Sequence, residues 1–367
     1  MENIILFEYY ELVKESKYPE SLLESPNCLD YITFYMDFIG FPYLLIKNEN
    51  NIPANKKVYV IVQVKNRVDK TKNVVAKLNS LLNKYNNLHV LIVYPVEGDS
   101  WFLDSMIFNI NVQFLSRIKI LHTILSEYEF PYNIPNLGIE YHEYIYKEEA
   151  ERRNYLDTNS LTVKKKYKLA WLNAKKRKHR ILMHDWAIKN NLHKDNVYSW
   201  LGLGKKKDYK TKHSISTDPN EPMLFWPGDC YDQDQWLPRK EVLESYFNVV
   251  SETFFYENQI YITEKTWKPV HYGQPFIIIG PAYILKYLRQ IGYKTFNDYI
   301  DESYDQEVDP DTRLEKVKTL IQYINRVSFQ ELDKLHRDVY PIIEHNRTYF
   351  TSRKYKEEIN RLYTFLK

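Results

Sequence analysis

Residues 249–281 read VVSETFFYENQIYITEKTWKPVHYGQPFIIIGP, and their pattern decides the fold. An apolar, β-branched run ends at Ser251-Glu252-Thr253, a polar loop follows, and Thr263 marks the expected start of a helix. A second apolar run covers Phe276–Ile279 and ends before Gly280-Pro281. Short continuous apolar runs separated by a helical segment are typical of parallel strands buried on both faces. The segment therefore predicts a strand–helix–strand unit of an α/β protein.

The start of this helix has the chemistry of an anion site. Thr263 is suited to be the N-cap, and Glu264 and Lys265 fall in the first turn beside backbone N–H groups that lack an intrahelical partner. A helix N-terminus with a lysine favours a diphosphate, and Glu264 is placed to bond a ribose or sugar hydroxyl. Pro269 is expected to end or kink the helix. The same residues also fit a capped surface helix with a solvated Glu264–Lys265 pair.

The rest of the chain repeats the alternation of strands and helices. Further strands are predicted at Ile4–Phe7, Tyr43–Ile46, Val58–Val62, His89–Tyr94, Tyr167–Leu172 and Phe247–Val250. Helices are predicted over 68–85, 180–190, 312–325 and 331–345, and an amphipathic tail helix over 352–367 with Ser352 as its N-cap. This order predicts an α/β protein with two Rossmann-like domains facing a central cleft.

The domain boundary is expected where this rhythm breaks. Residues 125–165 contain Pro131, Pro135 and Gly138, followed by a highly charged stretch. We therefore predict an N-terminal Rossmann-like domain over 1–160 and a C-terminal one over 161–345. The last segment, 346–367, is predicted to be a helix that crosses back to the first domain.

Composition excludes several classes of protein. The 367 residues suit two domains, and 44% of them are apolar. Glycine occurs 9 times, against about 26 at its usual share, and there is no Gly-x-Gly-x-x-Gly, His-Glu-x-x-His or Gly-x-Ser-x-Gly motif. Gly202-Leu203-Gly204-Lys205 lacks the upstream glycine and the following Ser or Thr of a Walker A loop. Ordinary dehydrogenases, P-loop NTPases, zinc proteases and α/β-hydrolases are therefore disfavoured.

Cysteine usage and hydropathy bear on the compartment. Cys28 and Cys230 are the 2 cysteines, too few for a disulfide scaffold or a cysteine-based zinc site. No basic region precedes the first apolar run, and no apolar run approaches the roughly 18 residues that span a bilayer. We therefore expect a cytoplasmic protein without a membrane partner, located in the host cytoplasm if the chain is viral.

The motif Tyr261-Ile262-Thr263-Glu264-Lys265, with Trp267 two residues on and an apolar strand ending Gly280-Pro281, resembles the donor-binding motif of the α1,3-fucosyltransferase family. Ser251-Glu252-Thr253 stands where that family carries Phe-Glu-Asn. The resemblance implies a two-Rossmann-domain (GT-B) glycosyltransferase that uses a UDP- or GDP-linked sugar. The donor would bind the C-terminal domain, and the acceptor the N-terminal one.

The resemblance also assigns roles to single residues. It implies that Tyr261, Glu264 and Lys265 contact the nucleotide, sugar and diphosphate, and that Glu252 and Thr263 belong to the same donor site. The spacing from Glu252 to Tyr261 is longer than in the family, and Thr253 replaces its asparagine.

A basic segment opens the preceding helix, where the family places a diphosphate-binding arginine. Arg180 is the candidate by this match, with Lys178 and His179 as neighbours. A planar guanidinium suits bidentate phosphate contact. Cations at a helix N-terminus oppose the macrodipole, so a bound anion would explain them. A solvated basic helix face is the alternative.

Acidic residues offer fewer firm roles. Glu302 and Asp305 are candidates for donor hydroxyls, or belong to a capped acidic loop ahead of the helix that begins at Thr312. Asp232-Gln233-Asp234 spells the Asp-x-Asp of metal-dependent single-domain glycosyltransferases, but it lies in a loop-like context. Because Lys265 and Arg180 supply positive charge to the diphosphate, we expect no obligatory metal.

An inverting transfer needs a base that removes the proton of the acceptor hydroxyl. Candidates follow strands of the N-terminal half. Asp99 and Glu97 flank Gly98, which allows a tight turn, and rank equal, with Glu8 below them. An acidic turn without a catalytic role is the alternative for each.

Two basic runs bear on the acceptor. Lys164-Lys165-Lys166-Tyr167-Lys168 precedes a strand, and Lys205, Lys206 and Lys207 open a longer run in a predicted loop. Lysines interleaved with tyrosines suit phosphate contact and base stacking, and equally suit solubility. Enrichment in lysine, asparagine and tyrosine is typical of an AT-rich genome, such as that of some viruses. We therefore predict transfer of a sugar to a hydroxymethylated base in viral DNA. The alternatives are a glycan acceptor and a non-catalytic nucleic-acid-binding protein on a degenerate transferase fold.

Overall fold

The computed structural model describes residues 4–7, 35–37, 39–63, 71–94, 107, 109–125, 133–152, 157–158, 160–194, 196–203, 213–215 and 240–367. The chain divides into two compact units. The first unit consists of Met1–Tyr144 with Lys354–Lys367, and the second is Ile145–Arg353. The division falls inside a helix, whereas the sequence prediction put it after residue 160.

The first unit is built on a six-stranded parallel sheet. Its strands are β1 (Ile4–Phe7), β2 (Tyr43–Ile46), β3 (Val58–Gln63), β4 (Leu88–Tyr94), β5 (Ile118–His122) and β6 (Asn136–Gly138), in the order β2-β1-β3-β4-β5-β6. Helix α1 (Thr71–Lys84) connects β3 to β4, and α2 (Tyr141–Arg152) follows β6. The central strands are apolar along their length because both faces are buried, as at Val60 and Ile92.

The second unit is built on a five-stranded sheet. In chain order its elements are β7 (Tyr167–Lys175), α3 (Lys178–Lys189), β8 (Val197–Leu203), β9 (His213–Ile215), α4 (Lys240–Leu243), β10 (Ser245–Ser251), α5 (Glu264–Tyr272), β11 (Phe276–Ile279), α6 (Ile284–Gln290), α7 (Pro310–Arg326) and α8 (Phe329–Ser352). The strand order is β11-β10-β7-β8-β9, parallel except for β9, which pairs antiparallel to β8. The predicted α/β class is confirmed, with two sheets of mainly parallel strands.

The strand order of the second sheet reverses between β7 and β10. From β7 the chain runs through α3 to β8 on one side, and from β10 it runs through α5 to β11 on the other side. Neighbouring parallel strands whose connections leave in opposite directions open a crevice beyond their carboxyl ends, where ligands of α/β proteins bind. We call this place the switch point. It is bordered by residues 173–180 and 251–265.

Two helix ends differ from those that the sequence suggested. Pro269 does not end α5, which continues to Tyr272 and stops at Gly273 in the left-handed region (φ 67°). The Gly273 N–H donates to the carbonyls of Pro269 and Val270. A proline lacks the backbone N–H but keeps its carbonyl, so Pro269 does not prevent this C-cap. Ser352 is not an N-cap but the last residue of α8.

The tail helix α9 (Lys356–Leu366) belongs to the first unit. Tyr59 Oη and Lys57 Nζ each donate a 2.6 Å hydrogen bond to the carbonyls of Leu366 and Lys367, and Lys119 Nζ donates to that of Phe365. Carbonyls at a helix C-terminus lack intrahelical partners and carry partial negative charge, so these donors are well matched to them. No helix in the described part of the chain is long and apolar enough to cross a membrane.

Candidate functional site

Glu252, directly after β10, is the most strongly bonded side chain of the switch point. Its carboxylate has no exposed surface. Oε1 accepts from Thr263 N at 3.1 Å and Thr266 Oγ1 at 2.6 Å, while Oε2 accepts from Thr263 Oγ1 at 2.6 Å and Thr253 N at 3.2 Å. The carboxylate thus fastens the end of β10 to the first turn of α5. All four bonds go to the protein, so Glu252 positions the site instead of touching a ligand.

The first turn of α5 places the predicted Glu264–Lys265 pair as expected from the sequence. Thr263 is the N-cap, and its side chain accepts from Lys265 N at 3.4 Å. Lys265 Nζ lies 2.8 Å from Glu264 Oε1 and 3.1 Å from Thr263 Oγ1, and the lysine side chain keeps 31% of its surface exposed. A partly exposed ammonium at the positive end of a helix dipole can take an anion. One turn on, burial lowers the pKa of Lys268 to about 8.

Arg180 and His179 lie across the switch point on α3, and both are buried. Arg180 Nη2 donates to the carbonyls of Ser251 at 2.7 Å and Glu252 at 2.9 Å, and Nη1 donates to that of Lys175 at 3.4 Å. The His179 ring nitrogen Nε2 lies 3.1 Å from the Glu252 carbonyl. Arg180 and His179 are therefore not part of a solvated basic face, which was the alternative for this segment.

Charge and burial act together on His179. Burial, reinforced by the adjacent Arg180 guanidinium, lowers the pKa of His179 to about 3. The imidazole is therefore neutral near pH 7, and Arg180 carries the positive charge of this pair. That charge lies at the carboxyl ends of β7 and β10, where ligands of α/β proteins bind.

The loop between β10 and α5 has its own aromatic core, which sequence reasoning missed. Phe255 lies between the stacked ring of His179, at 5.2 Å between centroids, and the guanidinium of Arg313, at 4.6 Å from its ring centroid. Tyr261, predicted to contact the nucleotide, is fully buried and packs against Phe254 at 4.9 Å. These contacts fix the loop, so Tyr261 supports the turn from inside. The run of aromatic residues at 254–256 was the available signal.

Glu302 and Asp305 serve the fold. Asp305 caps α6, since its carboxylate accepts from Leu285 N at 2.8 Å and Lys286 N at 2.9 Å. Glu302 accepts from Phe296 N at 2.7 Å. Burial raises the pKa of both carboxyls. Asp305 therefore caps α6, the helix before it in the chain, a role that neither alternative gave it.

The lysine run at 164–168 is largely committed to internal contacts. Lys165 Nζ donates to the carbonyls of Ser160 and Leu243 at 2.9 and 2.8 Å, and burial lowers its pKa to about 8. Lys166 pairs with Glu244 at 2.8 Å, and Lys168 donates to the Asn325 carbonyl at 2.7 Å. Lys165 and Lys168 are thus used inside the fold, whereas Lys166 forms an ion pair at its surface.

Several predicted site residues lie outside the described residues. They are Glu8, Glu97, Asp99, Lys205, Lys206, Lys207, Asp232 and Asp234. Among the residues that the structure does describe, no three His, Cys, Asp or Glu side chains are grouped so that they could hold a metal ion.

Comparison with known proteins adds no family assignment to this geometry. What the chain does is therefore inferred from the chemistry of the switch-point residues and from the sequence motif they carry. The chain matches no protein-family model, and no curated protein matches its sequence.

Proposed function

We propose that the chain is a nucleotide-sugar-dependent glycosyltransferase of the GT-B type, whose donor diphosphate binds at the switch point of the second unit. One observation carries the proposal. Two helices, α3 and α5, begin at the reversal of strand order, and each brings a cation there, Arg180 and Lys265. Helix N-termini with cations at such a reversal are suited to a phosphate ligand.

The chemistry follows from where charge develops. The bond between the sugar C1 and the diphosphate oxygen breaks, and a bond from C1 to the acceptor oxygen forms. The departing diphosphate gains negative charge, which the Lys265 ammonium and the positive end of the α5 dipole stabilise. Glu264, now paired with Lys265, becomes available to a sugar hydroxyl when the ammonium turns to the diphosphate.

The first unit would supply the acceptor and the base in this proposal. Asp99 or Glu97 would take the proton of the acceptor hydroxyl in an inverting transfer. Asp99→Asn and Glu97→Gln are expected to lower turnover by roughly 10²- to 10⁴-fold with donor affinity kept. Full turnover in both variants would move the base elsewhere.

For the acceptor we propose a hydroxymethylated base in DNA, contacted through Lys205, Lys206 and Lys207. Sugar transfer to DNA containing hydroxymethylcytosine separates this from its rivals, with unmodified DNA and an oligosaccharide as controls. Label on the oligosaccharide alone would establish a glycan acceptor. Salt-dependent DNA binding without any hydrolysis of nucleotide sugars would instead favour a non-catalytic binder.

The donor site is tested by ligand-induced stabilisation. UDP, GDP and their sugars are screened for a rise in melting temperature, since a ligand at 100 times Kd stabilises by about 2.7 kcal/mol. Lys265→Ala should weaken binding by about ten- to a hundredfold, because a charge-assisted bond is lost. Lys189→Ala, at the exposed far end of α3, is the matched control and should bind as the unmodified protein does. Equal affinities in both variants would remove Lys265 from the site.

A further inference from the structure

Two polar side chains at the start of α3 are left without partners by the fold. Asn173, near the end of β7, is 3% exposed, and its Oδ1 has no hydrogen-bond partner among the described residues. Arg177, the N-cap residue of α3, has a buried Nε that likewise bonds to nothing in the described part of the chain. Buried polar atoms are nearly always satisfied, so such atoms call for an explanation, and a missing ligand is one.

The position of Asn173 follows from its neighbours on the strand. Trp171 and Asn173 are two residues apart, so their side chains share a face of the sheet. Trp171 packs edge-on against Tyr198, with ring centroids 5.5 Å apart, and the Tyr198 hydroxyl lies 2.8 Å from Nδ1 of His184 on α3. This face is therefore the one that α3 covers. Asn173, nearer the carboxyl end of β7, lies at the start of α3.

Arg177 differs from Arg180 in what it is bonded to. The guanidinium of Arg180 already donates to the carbonyls of Ser251 and Glu252. Arg177 makes no side-chain cap hydrogen bond, and the first turn of α3 holds no acidic residue. The N–H groups of that turn and the positive end of the helix dipole face the same place. An anion there would meet a guanidinium that the protein does not use elsewhere.

We propose that Arg177 binds the donor diphosphate and that Asn173 accepts a hydrogen bond from a hydroxyl of the donor, on the ribose or on the sugar. The proposal rests on the function proposed above. A carbonyl oxygen cannot bond an unprotonated phosphate oxygen, because both are acceptors. The ligand that satisfies both side chains must therefore carry a hydroxyl close to its phosphates. A nucleoside diphosphate or its sugar does so, and inorganic pyrophosphate does not.

Titration calorimetry with a set of ligands tests both residues. The ligands are UDP and GDP, their 2′,3′-dideoxy counterparts, UDP- and GDP-sugars, and inorganic pyrophosphate. The proteins are the unmodified chain, Arg177→Gln, Asn173→Leu and the control Lys189→Ala. Arg177→Gln should weaken every ligand by about ten- to a hundredfold. Asn173→Leu should weaken only ligands that carry the hydroxyl, by about tenfold, and should leave pyrophosphate unchanged.

Comparing the affinities of these ligands also identifies which hydroxyl Asn173 bonds. If it is on the ribose, dideoxy nucleotides bind the unmodified protein weakly, and Asn173→Leu weakens them no further. If it is on the sugar, Asn173→Leu affects the nucleotide sugars alone. Because Asn173 Oδ1 makes no bond within the described structure, Asn173→Leu should keep or raise the melting temperature.

Three results would overturn the inference. One is an equal loss for all ligands in Asn173→Leu, and another is a marked fall in its melting temperature; either would give Asn173 a structural role. The third is unchanged affinity in Arg177→Gln. If the unmodified protein binds UDP or GDP while the variants behave like it, only this inference fails. If the unmodified protein binds no nucleotide, the proposed function fails with it.

Discussion

Helices α3 and α5 begin at the same edge of one sheet, yet they satisfy their first turns in different ways. The start of α5 is completed by the protein, because Thr263 caps it and Glu252 braces the cap. The start of α3 has no side-chain cap, and Arg177 stands there without a hydrogen-bond partner among the described residues. The comparison separates a helix start that the protein caps by itself from one that it leaves uncapped.

The two helices also differ in the faces they bury. The residues of α5 that face inward include Trp267 and Val270, as in an ordinary amphipathic helix. By contrast, α3 buries polar side chains, among them His179 and His184, while Ile181 and Leu182 keep 39% and 40% of their surface exposed. The inward polar groups of α3 bond to carbonyls and hydroxyls near the sheet edge. The contrast lies in the apolar side chains, since α5 also buries the polar Thr266 and His271 but exposes no large apolar side chain.

Removing the brace of α5 should have the largest effect on stability. Glu252→Ala leaves two backbone N–H groups and two hydroxyls buried without their acceptor, so the free energy of unfolding should fall by about 3 kcal/mol or more. Denaturant unfolding measures the change. Glu264→Ala is the control: its partner Lys265 is partly exposed, and the loss should stay below about 1 kcal/mol. Similar losses in both variants would mean that Glu252 is not the brace.

The buried histidine of α3 should make the stability depend on pH. His179 stays neutral in the fold down to about pH 3, whereas in the unfolded chain it takes up a proton below about pH 6.5. Its contribution is therefore complete above pH 6.5 and is lost by about 1.4 kcal/mol per pH unit as the pH falls below that value.

His179→Gln removes this dependence, and unfolding at pH 6.5, 5.5 and 4.5 compares it with the unmodified protein. His89 and His336, whose pKa values burial also lowers to about 4, are present in both proteins and cancel in the comparison. Parallel curves for the two proteins would show that His179 is protonated in the fold.

Loss of the α5 N-cap should lower the free energy of unfolding less than loss of Glu252 does. Thr263→Ala removes the cap and one hydroxyl donor to Glu252, which should cost about 1–2 kcal/mol. Thr263→Ser keeps the hydroxyl and should recover most of that loss. Thermal unfolding distinguishes the two variants, and no recovery by serine would assign the loss to packing of the threonine methyl group.

Adding a cap to α3 should have the smallest and opposite effect. Arg177→Ser supplies the N-cap that this helix lacks and should raise the free energy of unfolding by about 1 kcal/mol. The same change removes the proposed diphosphate contact, so nucleotide affinity should fall while stability rises. Thermal unfolding and calorimetry on one sample measure both. A stabilised variant that binds nucleotides as before would make the unfinished helix start a chance feature.

Much of the fold follows from short apolar runs. Strands β1, β2 and β11 have the predicted limits, because each is a short continuous run of apolar and aromatic residues. Strand β11 is buried along its whole length, whereas β2 lies at a sheet edge and exposes Leu44. Strand β8 was missed: it contains Ser199 and Gly202, and near the edge of a sheet a strand needs fewer apolar residues. The segment 136–152 was read as a break, yet it holds β6 and α2, whose charged and tyrosine-rich sequence gives no clear apolar stripe.

For the candidate site, the sequence predicted the helix cap but not the hydrogen-bond partners of the charged side chains. Thr263 is the N-cap that its sequence position predicted, because capping depends on residues two or three positions away. Arg180 was singled out for the diphosphate, but its guanidinium is held by carbonyls from β10, about seventy residues along the chain. Arg177 belongs to the basic segment that the sequence pointed to, but neither it nor Asn173 could be expected to lack a partner, since an unpaired buried atom depends on everything around it.

The sequence by itself determined the class of fold, the strand–helix–strand order at 245–279 and the cap of α5, because hydrophobic periodicity and capping are properties of neighbouring residues. Only the tertiary structure decided that β10 lies beside β7, and so that α3 and α5 begin at one place. It also decided that Glu252 and Arg180 bond to groups of the protein, whereas Arg177 Nε and Asn173 Oδ1 have no hydrogen-bond partner among the described residues. Those outcomes depend on strand order and burial, which arise only when distant segments pack together.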